Sequence, residues 1–224
     1  MKPSLPKALF DVCVIPRHDR VAGRNVVATV GALNDVQPPP SGCPRSGGLV
    51  LVGGPSKHFA WDEGGVIRAV ADAAAEGRWT VSTSRRTPDS TTAGLLALRR
   101  EGVEVLTHDQ TPPGWVRTQL AASERAIVTG DSVSMISEAV TAGCRTAVIR
   151  LPGRRASRVA AAVEGFLRDG FVCRSPELAT FTAAAPLAEA DRVACELVRR
   201  FGWAVPALGD VPAPTDVPVL GEAA

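Results

Sequence analysis

Short apolar runs alternate with longer amphipathic stretches along most of this chain, and turn-forming residues separate them. Residues 9–15 and 25–30 read as two strands, closed by Pro16-Arg-His-Asp19 and Gly31-Ala-Leu-Asn34. Residues 36–48, with four prolines and three glycines, read as a linker rather than an element. Beyond it the rhythm is regular. Strands are predicted at 49–52, 79–83, 103–107, 126–128, 146–151 and 171–174, and helices at 65–76, 91–101, 115–123, 157–169 and 186–201. Strands alternating with helices of ten to fifteen residues predict an α/β fold, a Rossmann-like, doubly wound parallel sheet. The organisation expected is 1–36 as the end of an N-terminal, acceptor-side unit, 37–48 as linker and 49–203 as the main Rossmann-like domain. Residues 204–224, with four prolines after Val205 and no periodicity, are expected to form a flexible tail. Two strands with little helix are too few for a domain. Either the chain is truncated, or these strands join the larger sheet.

The most informative segment is Ala126-Ile-Val-Thr-Gly-Asp-Ser-Val-Ser-Met-Ile-Ser-Glu-Ala139, followed by Gly143. A buried strand breaks into a polar turn, and an apolar helical pattern starts at once. The free N–H groups of a helix start carry the positive end of its dipole and suit a phosphate. Asp131 is expected to cap this helix, with Ser132 and Ser134 satisfying its first amides. Capping alone accounts for these three without any ligand. Glu138 lies about two turns further on, beside the apolar Met135, Ala139 and Ala142, and a carboxylate there needs a partner or solvent. Phosphate at the turn and ribose hydroxyls at Glu138 together describe a nucleotide site.

In a doubly wound sheet, ligands bind at loops following the carboxyl ends of strands. Four polar loops hold that position: 53–58, 84–88, 108–111 and 129–134. Gly53-Gly54 permits close backbone approach to a ligand, although a plain strand-to-helix turn explains it equally. Ser84-Arg85-Arg86-Thr87 places two guanidinium groups and two hydroxyls at one strand end. Arginine's planar fork matches phosphate oxygens, and only one of the pair need point inward. His18-Asp19 follows the first strand, where an aspartate beside a histidine suggests a general base entering a cleft from the opposite side. A structural histidine in a turn is the competing reading.

The bulk composition narrows the function. The formal charge of +2 on 224 residues and an aromatic content of 4% with no tyrosine argue against nucleic acid as the main partner. The five cysteines form no CxxC pair, which fits a reduced cytosolic setting. No apolar stretch approaches a membrane span, and the first residues lack a signal-peptide core. A cytoplasmic location is expected, with a peripheral contact at the inner membrane left open. Neither GxGxxG, GxxxxGK[ST], GxSxG nor a DxD metal pair is present, so no dinucleotide cofactor, P-loop, hydrolase nucleophile or bound metal is expected.

Taken in order, Phe10-Asp11, Pro16-Arg17-His18-Asp19, Gly31-Ala-Leu-Asn34, Gly53-Gly-Pro-Ser56, Ser82-Thr-Ser-Arg-Arg-Thr-Pro88 and Gly130-Asp-Ser-Val-Ser-Met-Ile-Ser-Glu-Ala139 resemble the mitochondrial-fission ELM family, from about residue 10 to 203. Its bacterial members are treated as glycosyltransferases. The resemblance implies a glycosyltransferase-B fold, two Rossmann-like domains with a nucleotide-sugar donor held mainly by the second. It implies that Glu138 binds ribose hydroxyls, that Ser132 and Ser134 lie near the diphosphate, and that Arg85 or Arg86 neutralises the leaving nucleotide. Gly53, Gly54, Ser84, Thr87, Asp131 and Met135 complete the expected donor site, and His18 or Asp19 would be the base for the acceptor hydroxyl. Transfer would be metal-independent, with no resident cofactor beyond the donor substrate. The acceptor is unspecified, a lipid-linked or envelope glycan being one class. Where family members usually carry Asn-Pro before the helix preceding the motif, this chain reads Asp109-Gln-Thr-Pro112. The alternative is a non-catalytic interaction protein, as the plant members recruit organelle-division machinery. An epimerase is disfavoured by the missing GxGxxG and the missing tyrosine.

Overall fold

The computed structural model describes residues 5–40, 42–75, 77–153 and 157–203; the expected tail at 204–224 lies outside them. Strands β3 (Gly48–Leu51), β4 (Trp79–Ser82), β5 (Val103–Leu106), β6 (Arg125–Thr129), β7 (Arg145–Ile149) and β8 (Cys173–Arg174) form one sheet in the order β5-β4-β3-β6-β7-β8. Every neighbouring pair is parallel. The chain winds outward from β3 to one edge, returns, and winds from β6 to the other, so the topological switch point lies between β3 and β6.

Helices α1 (Glu63–Ala73), α2 (Asp89–Leu96), α3 (Trp115–Ala122), α4 (Val133–Thr141), α5 (Arg158–Arg168) and α6 (Glu189–Phe201) complete the fold. The period-two alternation of the strands divides the core. Val50, Val52, Val81 and Ile127 point to the face covered by Val66 and Val70 of α1 and Leu95 of α2. Leu49, Leu51, Ala126 and Val128 point to the other, against Leu120 of α3, Ile136 and Ala139 of α4 and Phe166 of α5. Strands covered on both faces read as continuous apolar runs, which is how 49–52 and 126–128 appear in the sequence.

The predicted elements are all present, with shifted boundaries. The first strand is shorter, because residues 7–9 form a 3-10 turn whose Lys7 and Phe10 carbonyls accept from the Asn25 amide. The second helix stops at Leu96, and the Arg99 and Arg100 side chains then bond the Val105 and Ala74 carbonyls.

Strands β1 (Cys13–Pro16) and β2 (Val26–Thr29) pair in parallel as a separate two-stranded sheet and do not join the larger one. Parallel pairs ordinarily need a crossover of about a dozen residues or more, usually with a helix. Here residues 17–25 make the return through a 3-10 turn, Arg17–Asp19, and a left-handed Arg20 at φ 52°. The pair is tied to the body by α6. Val30 N donates to Glu189 Oε2 at 2.7 Å, and Arg192 Nη2 donates to the Ala28 carbonyl at 2.6 Å. The linker is also anchored, since Arg45 donates to the carbonyls of Leu120, Ser123 and Gly143.

Candidate functional site

Strand register aligns the loops at the switch point. Leu51 pairs with both Ser82 and Val128, so the segments after β3, β4 and β6 leave the sheet at one level. There they close on one carboxylate. Asp131, whose side chain is fully buried, accepts from Thr129 Oγ1 at 2.7 Å, from Gly54 N at 3.2 Å and from Arg86 Nη2 at 2.7 Å. Thr129 Oγ1 in turn accepts from Gly53 N at 2.7 Å. Thr87 Oγ1 accepts from Ser84 N and donates to the Gly53 carbonyl at 2.6 Å.

This knot explains both glycines. A Cβ on Gly53 would stand 2.3 Å from both Asp131 carboxylate oxygens, and one on Gly54 would stand 1.9 Å from the Arg86 carbonyl oxygen. The close backbone approach expected there is made by neighbouring loops of the protein itself. Asp131 is not the helix cap. That role falls to Ser132, whose Oγ accepts from Met135 N at 3.4 Å, because Asp131 turns back toward β3 and β4. Ser134 is exposed, and Met135 is half-buried against the apolar cluster under α4.

Beside the knot, a cavity of about 580 Å³ is lined by Arg85, Glu138, residues 111–114, Asp35 and Arg117, among others. The adjacent arginines have separated: Arg86 is spent on Asp131 and the Gly54 carbonyl, while Arg85 lines the cavity. Burial raises the Glu138 carboxyl above its ordinary value of 4.5, and the Asp35 charge adds to this while Arg117 opposes it. The Glu138 side chain accepts no hydrogen bond from a described residue. Arg117 and Asp35 form an ion pair at 2.6 Å at the same cavity. Together these groups offer a guanidinium for a phosphate, a carboxylate for a pair of hydroxyls, and the faces of Pro112 and Pro113 for a flat apolar group. Neither Ser132 nor Ser134 is part of this lining.

Sequence reasoning missed Asp35 and Arg117. No local signal marks them, because they come together across 82 residues of chain. The 111–114 wall was within reach, since 108–111 is a loop after a strand end.

His18 and Asp19 stand elsewhere. His18 lines a hollow of about 200 Å³ with Gly31, Gly165, Phe166 and several arginines. None of the cavities described holds both His18 and Glu138. Burial lowers the His18 pKa from 6.5, partly offset by the Asp19 charge. Asp19 Oδ1 pairs with Arg158 Nη1 at 3.1 Å. Among the described residues, no group of three or more His, Cys, Asp or Glu is placed to hold a metal ion. No described helix is long and apolar enough to cross a membrane.

The profile of the family described as Mitochondrial fission ELM1 matches residues 1–201. No curated protein matches the chain. Among solved structures, it is similar to a Listeria monocytogenes protein assigned as a UDP-N-acetylglucosamine 2-epimerase, with 14% identity, a TM-score of 0.47, and coverage of 72% of this chain and 46% of that one. It is also similar to Acinetobacter baumannii MurG, with 15% identity, a TM-score of 0.47, and coverage of 85% of this chain and 61% of that one. The chain thus spans less than two thirds of the length of either structure.

Proposed function

The chain belongs to the mitochondrial fission ELM1 family, and from that membership and the cavity at the strand ends we propose that it is a glycosyltransferase, or the donor-binding part of one. The donor is a nucleoside-diphosphate sugar. One observation carries the reading: Arg85, in the loop after β4, and Glu138, on α4, share one cavity beyond the carboxyl ends of a parallel sheet, and Glu138 accepts no hydrogen bond there from a described residue. Glu138 accepts from the ribose hydroxyls and the diphosphate lies at Arg85, while Ser132 caps α4 and, with Ser134, stays outside the cavity lining. Arg85 neutralises the charge that develops on the departing diphosphate, a task that fixed cationic groups perform without a metal ion. The loops that position Arg85 and Glu138 are held by Gly53, Gly54, Ser84, Arg86, Thr87 and Asp131.

In the transfer, an acceptor hydroxyl attacks the anomeric carbon, the nucleoside diphosphate leaves with the bonding electrons, and the hydroxyl proton passes to a base. His18 suits that role better than Asp19. Its lowered pKa keeps the imidazole neutral near pH 7, whereas the Asp19 carboxylate is held by Arg158. A cytoplasmic enzyme acting at the inner membrane is consistent with the family reading.

The test is thermal unfolding with a panel of UDP-, GDP- and ADP-sugars. At least one should raise the melting temperature, and Glu138→Ala and Arg85→Ala should each abolish the shift. No shift across the panel for the natural chain would overturn the donor site.

One observation favours a second reading, a non-catalytic interaction protein. Among the described residues, the exposed large apolar side chains, Leu5, Leu9, Phe10, Leu33, Phe201 and Trp203, all lie before the linker or at the end of α6. Phe201 and Trp203 stack at 5.0 Å. Under that reading, partner capture survives Glu138→Ala and Arg85→Ala but is lost in Phe201→Asp with Trp203→Asp.

A further inference from the structure

The hollow that contains His18 is ringed by more positive charge than the fold uses. Arg17, Arg20 and Arg168 all line it. Arg17 and Arg168 share one carboxylate, Asp169, Arg17 through a close ion pair and Arg168 through Nε at 3.1 Å. The Arg20 guanidinium has neither a hydrogen-bond nor an ion-pair partner among the described residues, its backbone N–H alone bonding the Arg17 carbonyl. Asp19, next to His18, is already matched by Arg158. Three guanidinium groups therefore face one carboxylate and the partial negative end of α5, leaving the hollow net positive.

Gly165, inside α5, also lines this hollow. Glycine in a helix interior costs stability relative to alanine, so its presence needs a reason. Packing supplies none. The nearest atoms to a Cβ built on Gly165 are Arg17 Nη2 and Arg168 Nη2, both at 3.9 Å, an ordinary contact distance. The two guanidinium groups thus converge over the one position of the helix that has no side chain. What the glycine leaves is space between two forks, in a hollow that the Arg20 side chain also lines.

We propose that this hollow is an anion subsite that takes a phosphoryl group, which the three arginines grip and beside which the His18 imidazole stands. Arginine forks match phosphate oxygens in geometry as well as charge. Assigning that phosphoryl group to the acceptor rests on the transferase reading; the binding itself does not. On that assignment the acceptor is a phosphorylated molecule, either soluble or a lipid with a phosphate headgroup, whose hydroxyl lies next to His18. The subsite is separate from the Arg85–Glu138 cavity, so the two ends of the reaction are held by different arginines.

The experiment is a titration of the full chain with inorganic phosphate at constant ionic strength, read from the imidazole signals of its three histidines. His18 should move, and His58 and His108 should not. Arg20→Ala and Gly165→Leu should each weaken the response about fivefold or more, the first by removing a charge and the second by filling the hollow. Gly165→Ala should weaken the response less than Gly165→Leu, and Arg145→Ala, which removes a surface charge paired with Glu124, should leave the His18 response unchanged. Flotation with phosphatidylcholine vesicles, with and without phosphatidic acid, distinguishes the sources. Capture that needs phosphatidic acid and Arg20 identifies a lipid phosphate, and phosphate binding without capture identifies a soluble ligand. A His18 signal that ignores phosphate, responds equally to chloride, or is unaffected by Arg20→Ala would overturn the subsite. Failure of the nucleotide-sugar panel would remove the transferase reading and leave the phosphate response standing.

Discussion

Arg86 Nη2 lies 2.7 Å from Asp131 Oδ2, and the pair spans the strand between their own, since β3 separates β4 from β6. The carboxylate is fully buried, while the Arg86 side chain is about half exposed. Removing the partner of a buried charge costs more than the pair contributes, because the remaining ion keeps its desolvation penalty. Arg86→Ala should therefore destabilise the protein by about 3 kcal/mol in denaturant unfolding. Gly54→Ala should cost about 2 kcal/mol, by driving a methyl into the Arg86 carbonyl. Because both act on the same knot, the double variant should lose less than the sum of the two. A loss below about 1 kcal/mol for Arg86→Ala would mean that the pair behaves as a surface ion pair.

Glu138 links the proposed donor site to stability. Its folded-state pKa is raised by burial, so the native state holds the proton over a pH range where the unfolded chain has released it. Its contribution to stability is full below the unfolded value and is lost as pH rises through the raised one. Glu138→Gln removes that loss. The variant should be more stable than the natural chain at pH 7 and less dependent on pH above 4.5, while nucleotide-sugar binding falls about tenfold or more. Equal stability of the two chains at pH 7 would contradict the burial argument.

Glu189 runs in the opposite direction. Burial opposes its ionisation, but hydrogen bonds from Arg192 and the Val30 amide outweigh this and lower its pKa. The stability it contributes is present above the unfolded value and is lost as pH falls through the lowered one. Glu189→Ala should cost about 2 kcal/mol. It should also speed hydrogen exchange at the Val30 amide selectively, since that amide is its direct donor. Unchanged exchange at Val30 would refute the tether between α6 and β2.

Thiol reactivity checks the packing independently. Cys43 and Cys195 are exposed, and Cys13, Cys144 and Cys173 are buried. Burial pushes the Cys144 thiol up to about 11, and burial with the Glu177 charge does the same to Cys173. A thiolate reagent near neutral pH should titrate two cysteines in the folded protein and all five after unfolding. More than two fast-reacting thiols in the folded protein would mean that these strands open.

The alternation of strand and helix was legible because it is local. Residues 49–52 and 126–128 are apolar throughout, as strands covered on both faces must be, and the helix after Ser132 ends at Gly143, left-handed at φ 73°. The four loops at the strand ends were also readable, since the side of a parallel sheet on which they emerge follows from the order of elements. Less was legible about how each polar group is used. Asp131 had the spacing of a cap but turns away to bind β3 and β4, a choice made by Gly54 and Arg86 rather than by its own helix. Residues 9–15 had the pattern of a full strand but begin as a turn, because Asn25 claims the Lys7 and Phe10 carbonyls from across the return.

The sequence by itself determined the elements, their parallel winding and the family, because each depends on residue type and spacing along the chain. Tertiary structure alone decided the fate of Arg85 and Arg86. Neighbours of identical chemistry, one meets a buried carboxylate and the other a cavity with Glu138. It also decided that Arg17, Arg20 and Arg168 line one hollow with His18, while Glu138 lines another. Such meetings depend on strand order and register, which bring together side chains that no spacing in the sequence relates.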